Sequence, residues 1–162
     1  MYNENLVLFV IFPMTEKGVL VINDGHRLIL PRYESEPKDG SESRTDSLHA
    51  PMLKNIGYVA QEIHLTDTND YHTKIDDEDW IYHACLAHGC TQRQTGKIPV
   101  MALPVMEWFK MIKDKKATDE LSIVTTNSAL EWIAMPQPES FSRKKENREK
   151  AYAAGFQKYH TK

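Results

Sequence analysis

The chain has 162 residues, 41% of them hydrophobic and 27% charged, enough for one ordinary soluble domain with a sizeable core. Its net charge of −3 argues against a dedicated nucleic-acid binder, which would more often be strongly basic. No apolar run reaches the roughly 20 residues that cross a membrane, and residues 6–12 (LVLFVIF) lack the basic lead of a secretory signal. Two cysteines five apart, Cys85 and Cys90, make a poor disulfide framework, so a reducing cytoplasm is expected.

The first third is rich in strand signals. LVLFVIFP (6–13), GVLVIN (18–23) and RLILPRY (27–33) are apolar, β-branched runs separated by turn material, including Asn23-Asp24-Gly25. Residues 34–47 are polar, carry Pro and Gly, and read as an exposed loop. Residues 48–56 predict a short helix. Pro51 is tolerated only in a first turn, so the helix is expected to begin near His49. YVAQEIHL (58–65) reads as a strand, residues 66–79 as an acidic loop, WIYHACLAHGC (80–90) as a strand and KIPVMALP (97–104) as another. Val105, Phe109 and Ile112 mark a helix over 104–116. A second helix is predicted over 119–134, with Ile123, Leu130 and Ile133 on one side and Thr118 as N-cap. Pro136 and Pro138 close a domain of residues 1–136. The tail, 137–162, is basic, with seven Lys or Arg against three Glu from Glu139 onward. Strands first and helices last give an α+β chain with a mixed sheet.

The segment from Leu30 to Tyr58 carries a motif frame. The pattern G-x5-E-x7-R-E-U-x-E-E-x-G-U, with U bulky and apolar, can be anchored with its last Gly at Gly57. Met52 and Tyr58 then fill the U positions and Glu42 the first Glu. Ala50-Pro51 stand in place of R-E, and Lys54-Asn55 in place of E-E. The segment thus resembles the signature box of the Nudix superfamily with most of its carboxylates missing. Leu30-Pro31 resemble the start of the family's L-P-G-G turn, with Arg32-Tyr33 replacing the glycines. Residues 97–133 are similar to the family's C-terminal part, most of all in the ADP-ribose pyrophosphatase branch, where Asp often precedes the last helix as Asp119 does here. The resemblance implies a Nudix-like α/β/α sandwich with a mixed β-sheet. It also implies Mg²⁺-dependent hydrolysis of a nucleoside diphosphate linked to another group. The branch is often dimeric, which makes a homodimer an expectation.

The missing carboxylates bear on that chemistry. Magnesium wants octahedral oxygen ligands, and carboxylates three or four apart on a helix supply them from one face. Pro51 has no polar side chain, Lys54 puts a positive charge where the ion would sit, and Asn55 offers only a neutral carbonyl. Two routes remain open. Loop carboxylates, chiefly Glu36, Glu42 and Asp46, could hold a displaced ion, with Glu42 as the catalytic candidate. Otherwise Lys54 could bind phosphate directly as a point charge, with Arg32 and Asn55 as further ligand-binding candidates and no metal needed. The first gives an unconventional pyrophosphohydrolase. The second gives a binder of a nucleotide-like small molecule with weak or absent hydrolysis. A non-catalytic interaction module is a third reading.

Other constellations are weaker. His83, Cys85, His88 and Cys90 offer zinc-type ligands. Strand alternation, however, sends His83 and Cys85 to one face and the other pair to the opposite face unless Gly89 introduces a bulge, so buried thiols are the expectation. His64-Leu65-Thr66 is an H-x-T tripeptide without the second copy that 2H phosphoesterases need, and it reads as chance. Asp76 to Asp79 reads as a solvated turn. In the tail, Tyr152, Phe156 and Tyr159 would form one aromatic stripe on a helix, suited to the chain's own core or a sister subunit, with a protein partner or a nucleic-acid backbone as the alternative.

Overall fold

The computed structural model describes residues 6–35 and 45–135. Its elements, in chain order, are β1 (Val7–Thr15), β2 (Gly18–Asn23), β3 (Leu28–Ile29) and β4 (Arg32–Ser35), then a 3-10 turn (Asp46–Leu48) and α1 (His49–Ile56). They continue with β5 (Tyr58–Val59), β6 (Glu62–Leu65), β7 (Tyr71–Ile75), β8 (Glu78–His88), β9 (Thr91–Gln92), β10 (Met101–Leu103), α2 (Val105–Met111) and α3 (Glu120–Ala134).

β1 lies at the centre. It pairs in parallel with β8 from Val7–Ile81 to Pro13–Ala87, and its other edge takes β4 antiparallel and then β2. β10 extends the sheet beyond β2, and β6 and β7 pair antiparallel with β8. The sheet is therefore mixed, and strand alternation divides the core into two. Leu8, Val10, Phe12 and Met14 pack with Trp108 of α2 and with Leu121, Ala129, Trp132 and Ile133 of α3. Phe9 and Ile11 point the other way, onto Leu48, Met52 and Ile56 of the 3-10 turn and α1. The result is an α/β/α sandwich.

Several predicted elements change. RLILPRY is broken at Leu30-Pro31 because the chain changes neighbours there. β3 pairs β2 and β4 pairs β1, while the Leu30 N–H donates to Ser122 Oγ (2.9 Å) and the Pro31 carbonyl accepts from Ile11 N (2.9 Å). YVAQEIHL divides for the same reason: β5 pairs β9, and β6 pairs β8. The expected acidic loop 66–79 contains β7, whose hairpin with β8 turns at Asp76-Asp77, both at positive φ (51° and 65°). Two left-handed residues closing a two-residue loop match the right-handed twist of the flanking strands. Of KIPVMALP, only Met101–Leu103 joins the sheet. α2 ends at Met111, short of the expected 116. The predicted aliphatic face of α3 holds only in part: Ile133 is buried, but Ile123 and Leu130 are half-buried, and Ser122, Thr125, Thr126, Ala129 and Trp132 are buried with Ile133. Its hydroxyls tie α3 inward, for example Thr126 Oγ1, which accepts from Trp108 Nε1 at 2.9 Å.

The hairpin turn gives a direct test. A left-handed residue bearing a Cβ is strained, so Asp77→Gly should raise stability by about 0.5–1 kcal/mol, read as a higher urea midpoint at unchanged slope.

Candidate functional site

The motif frame shapes α1 as its residue types dictate. The helix begins at His49, so Pro51 falls in the first turn, where its missing N–H costs no hydrogen bond. Met52 and Ile56 bury the inner face. Gly57 ends the helix in the left-handed region (φ 80°), with its N–H donating to Leu53 O at 2.9 Å. A Cβ at Gly57 would stand 2.1 Å from Gln94 O, so the position excludes any side chain. Residues 93–98 wrap this helix end. Arg93 N donates to Gly57 O (2.8 Å), Lys97 N to Lys54 O (3.3 Å) and Ile98 N to Asn55 O (2.7 Å). The Leu53, Lys54 and Asn55 carbonyls that the helix C-terminus leaves open are thereby satisfied.

Ala50 and Lys54, both exposed and four apart, share the outer side of α1, and Asp46 is exposed in the 3-10 turn before it. Asn55 is half-buried beside them. Among the described residues, α1 itself contributes no carboxylate to this face. Glu36 and Glu42 lie outside the described residues, as do the rest of 36–44 and the tail from Pro136 onward, with its aromatic stripe.

Arg32 stands elsewhere. It pairs in register with Val10, whose side chain belongs to the α3 side of the core, so Arg32 and α1 lie on opposite faces of the sheet. Its guanidinium grips Asp119 through Nη1–Oδ2 (2.5 Å) and Nη2–Oδ1 (3.2 Å). It also donates from Nη2 to Ser122 Oγ (3.2 Å) and from Nε to Leu30 O (3.1 Å). Asp119, and not the expected Thr118, is the N-cap of α3. Its backbone is extended and Oδ1 accepts from Ser122 N at 3.0 Å, whereas Thr118 is fully buried. Burial pushes the Asp119 carboxyl up, but Arg32 and the Ser122 donors outweigh it and hold it below the usual carboxylate range.

The same face carries a second polar group. Glu62 and His64 of β6 stand opposite the end of β8, with Glu62 in register with His88. His64 Nε2 is 3.2 Å from His88 Nε2 and 3.2 Å from Glu62 Oε2. Trp132 of α3 stacks on the His64 ring (centroids 4.8 Å apart). One turn earlier on α3, Ser128 Oγ donates to Asp67 Oδ2 (2.6 Å) and lies 2.6 Å from Thr66 Oγ1, while Tyr71 donates to the same Asp67 oxygen at 2.8 Å. The H-x-T tripeptide thus belongs to a built polar strip. Two-residue spacing on β6 was the signal present in the sequence; the partners His88, Ser128 and Trp132 come from distant elements.

The four ligands of H-x-C-x2-H-x-C do not converge. Cys85 and Cys90 both sit in the core on the α1 side, because Gly89 (φ 62°) turns the chain after His88, which points to the α3 side. Burial pushes the Cys85 thiol up and raises that of Cys90 to about 12, so both stay protonated. The buried-thiol expectation holds.

No protein-family profile and no curated protein sequence matches the chain. Solved structures do. It is similar to an ADP compounds hydrolase at TM-score 0.59, with 11% identity over 80% of this chain and 73% of that one. A NUDIX hydrolase from Nitrosomonas europaea matches at TM-score 0.56, with 13% identity over 78% of this chain and 89% of that one. A protein from Chromobacterium violaceum assigned to the nudix hydrolase family matches at TM-score 0.56, with 10% identity over 94% of each chain. The chain has a Nudix-like fold. Among the described residues, no helix is long and apolar enough to cross a membrane.

Two tests follow from the Nudix-like framework. Gly57→Ala should cost about 2–3 kcal/mol, through strain at positive φ and collision with the 93–98 wrap, seen as a lower melting temperature. Asp119 has a depressed folded pKa, so its contribution is present above the ordinary carboxylate value of about 4 and is lost as pH falls through the lower folded value. Asp119→Asn should therefore lower stability at neutral pH and flatten its decline in acid, measured by urea unfolding across pH.

Proposed function

We propose that the chain binds a nucleotide or a nucleoside-diphosphate-linked compound at the outer face of α1, with weak or absent hydrolysis. The observation that carries this reading is Lys54. It is exposed on a helix that keeps the signature's turn and apolar positions, and it stands where the resembled motif places a metal-binding carboxylate. A lysine ammonium serves as a point charge for phosphate without an ion between them. Asn55 beside it can donate from its amide. The likeness to a hydrolase of ADP compounds supports a nucleotide-linked ligand.

Magnesium does not fit α1. Ala50, Pro51, Lys54 and Asn55 provide no carboxylate, and the ion demands a near-octahedral set of oxygens. Asp46, exposed at the head of the helix, favours one alternative, in which it joins Glu36 and the candidate catalytic residue Glu42 to hold the ion for hydrolysis.

Thermal unfolding with ADP and ADP-ribose, each with and without Mg²⁺, separates these readings. Stabilisation without metal, weakened roughly tenfold in apparent affinity by Lys54→Ala, is the expected result. Stabilisation only with Mg²⁺, and phosphate-ester product that vanishes in Glu42→Gln, would establish the hydrolase instead. No shift with either compound would remove both and leave a module that contacts other proteins.

A further inference from the structure

We propose that Glu62, His64 and His88 bind a divalent transition-metal ion, zinc in the first instance, at a site separate from α1 and on the opposite face of the sheet. The three ligand atoms lie within 4.8 Å of one another. The two imidazole Nε2 atoms stand 3.2 Å apart, close to the roughly 3.3–3.4 Å that separates two nitrogen ligands about 2.0–2.1 Å from a tetrahedral zinc. The carboxylate Oε2 is also 3.2 Å from His64 Nε2, so each partner already sits at a ligand–ligand distance from the central imidazole.

His64 Nε2 carries either one hydrogen or one lone pair in the ring plane, yet it faces two neighbours. As a donor it satisfies the Glu62 carboxylate, and His88 Nε2 must then share that hydrogen. As an acceptor from His88 it presents a lone pair to a carboxylate oxygen. A single cation accepts lone pairs from all three atoms at once.

The surroundings suit an ion as well. His88 is fully buried at the end of β8, which fixes its ring, and Trp132 stacks on His64 and fixes the second. Glu62 is 29% exposed at the rim, which gives an entry path and a hydrated side for the remaining coordination position. Two imidazoles and one carboxylate are nitrogen-rich ligands that favour zinc and its neighbours over magnesium. Three protein ligands leave one position for water or a ligand atom. The pair in register, Glu62 and His88, also means that a bound ion would clasp the last rung of the β6–β8 ladder.

The test uses the full, tag-free chain stripped with chelator and titrated with Zn²⁺ and with Co²⁺. One saturable equivalent per chain is expected, with the intense visible absorption of four-coordinate Co²⁺ and no displacement by excess Mg²⁺. Because Trp132 lies against His64, Co²⁺ should quench part of the tryptophan fluorescence, and Trp132→Phe should remove that part. Glu62→Gln, isosteric and at the rim, should weaken Zn²⁺ binding at least about tenfold, and His64→Gln should abolish the stoichiometric site. Far-ultraviolet circular dichroism of both metal-free variants confirms that they remain folded. No saturable Zn²⁺ or Co²⁺ binding, or binding that both variants leave unchanged, would overturn the proposal. Nucleotide binding at α1 is read independently by thermal shift in chelator, so failure of one site leaves the other unaffected.

Discussion

The parallel ladder between β1 and β8 is the constraint from which the rest of the structure follows. Seven consecutive pairs, Val7–Ile81 through Pro13–Ala87, join segments about seventy residues apart, and a parallel pair cannot be closed by a short turn. Everything between them must therefore cross over. The first part of that crossover lays β2, β3 and β4 along the free edge of β1, and α1 then covers one face. Once β1 is enclosed on both edges, its side chains have only the two faces left. Phe9, Ile11 and Phe12 are fully buried on one or the other, which commits α1 to one side and α2 and α3 to the opposite side. Burying side chains of this size at about 25 cal/mol per Å² makes the ladder a large apolar contribution to the fold.

The second constraint is the ion pair of Arg32 with Asp119. It joins β4 to the first turn of α3 through two residues 87 apart in sequence, and it uses one carboxylate for two purposes. Asp119 caps the helix through Ser122 N and neutralises Arg32, while Ser122 Oγ takes the Leu30 N–H that the broken strand leaves over. A partly buried guanidinium would be costly without this partner. The clamp also explains why the chain can change strand neighbours at Leu30-Pro31 without leaving an unpaired donor.

How far the sequence disclosed this depends on the range of the interactions. β1, β2, β8, α1 and α3 are long or strongly patterned, and local hydrophobic period located them. The errors fall where a neighbour decides. RLILPRY and YVAQEIHL look continuous, but each changes partner strands midway. β7 is polar because it lies on an edge, so it carries the composition of a loop. Thr118 and Asp119 are both capping residues by type; Asp119, the stronger of the two, caps α3 through Ser122 N and also holds the distant Arg32. The α1 frame was legible because a helix stop, an apolar face and a glycine are encoded within nine residues. The Glu62, His64 and His88 group was not, because His88 lies 24 residues from His64 and only antiparallel registry brings them together.

The two places also differ in how far buried shape and exposed chemistry can be separated. On α1 the two requirements fall on opposite sides of one short helix. Met52 and Ile56 face the core, and Gly57 meets the 93–98 wrap, so a change at any of them alters packing or backbone strain. Ala50 and Lys54 face solvent, where substitution costs the fold little. Lys54 even suits its place, since a cation in the last turn complements the helix dipole. Residues at such positions are free to vary while the framework is held by its interior. The polar strip under α3 differs in this respect. His88 is buried inside the sheet, and Trp132 is both a core residue and the lid on His64, so ligand geometry and packing are there set by the same side chains. Any chemistry at that strip cannot drift independently of the fold, whereas chemistry on α1 can.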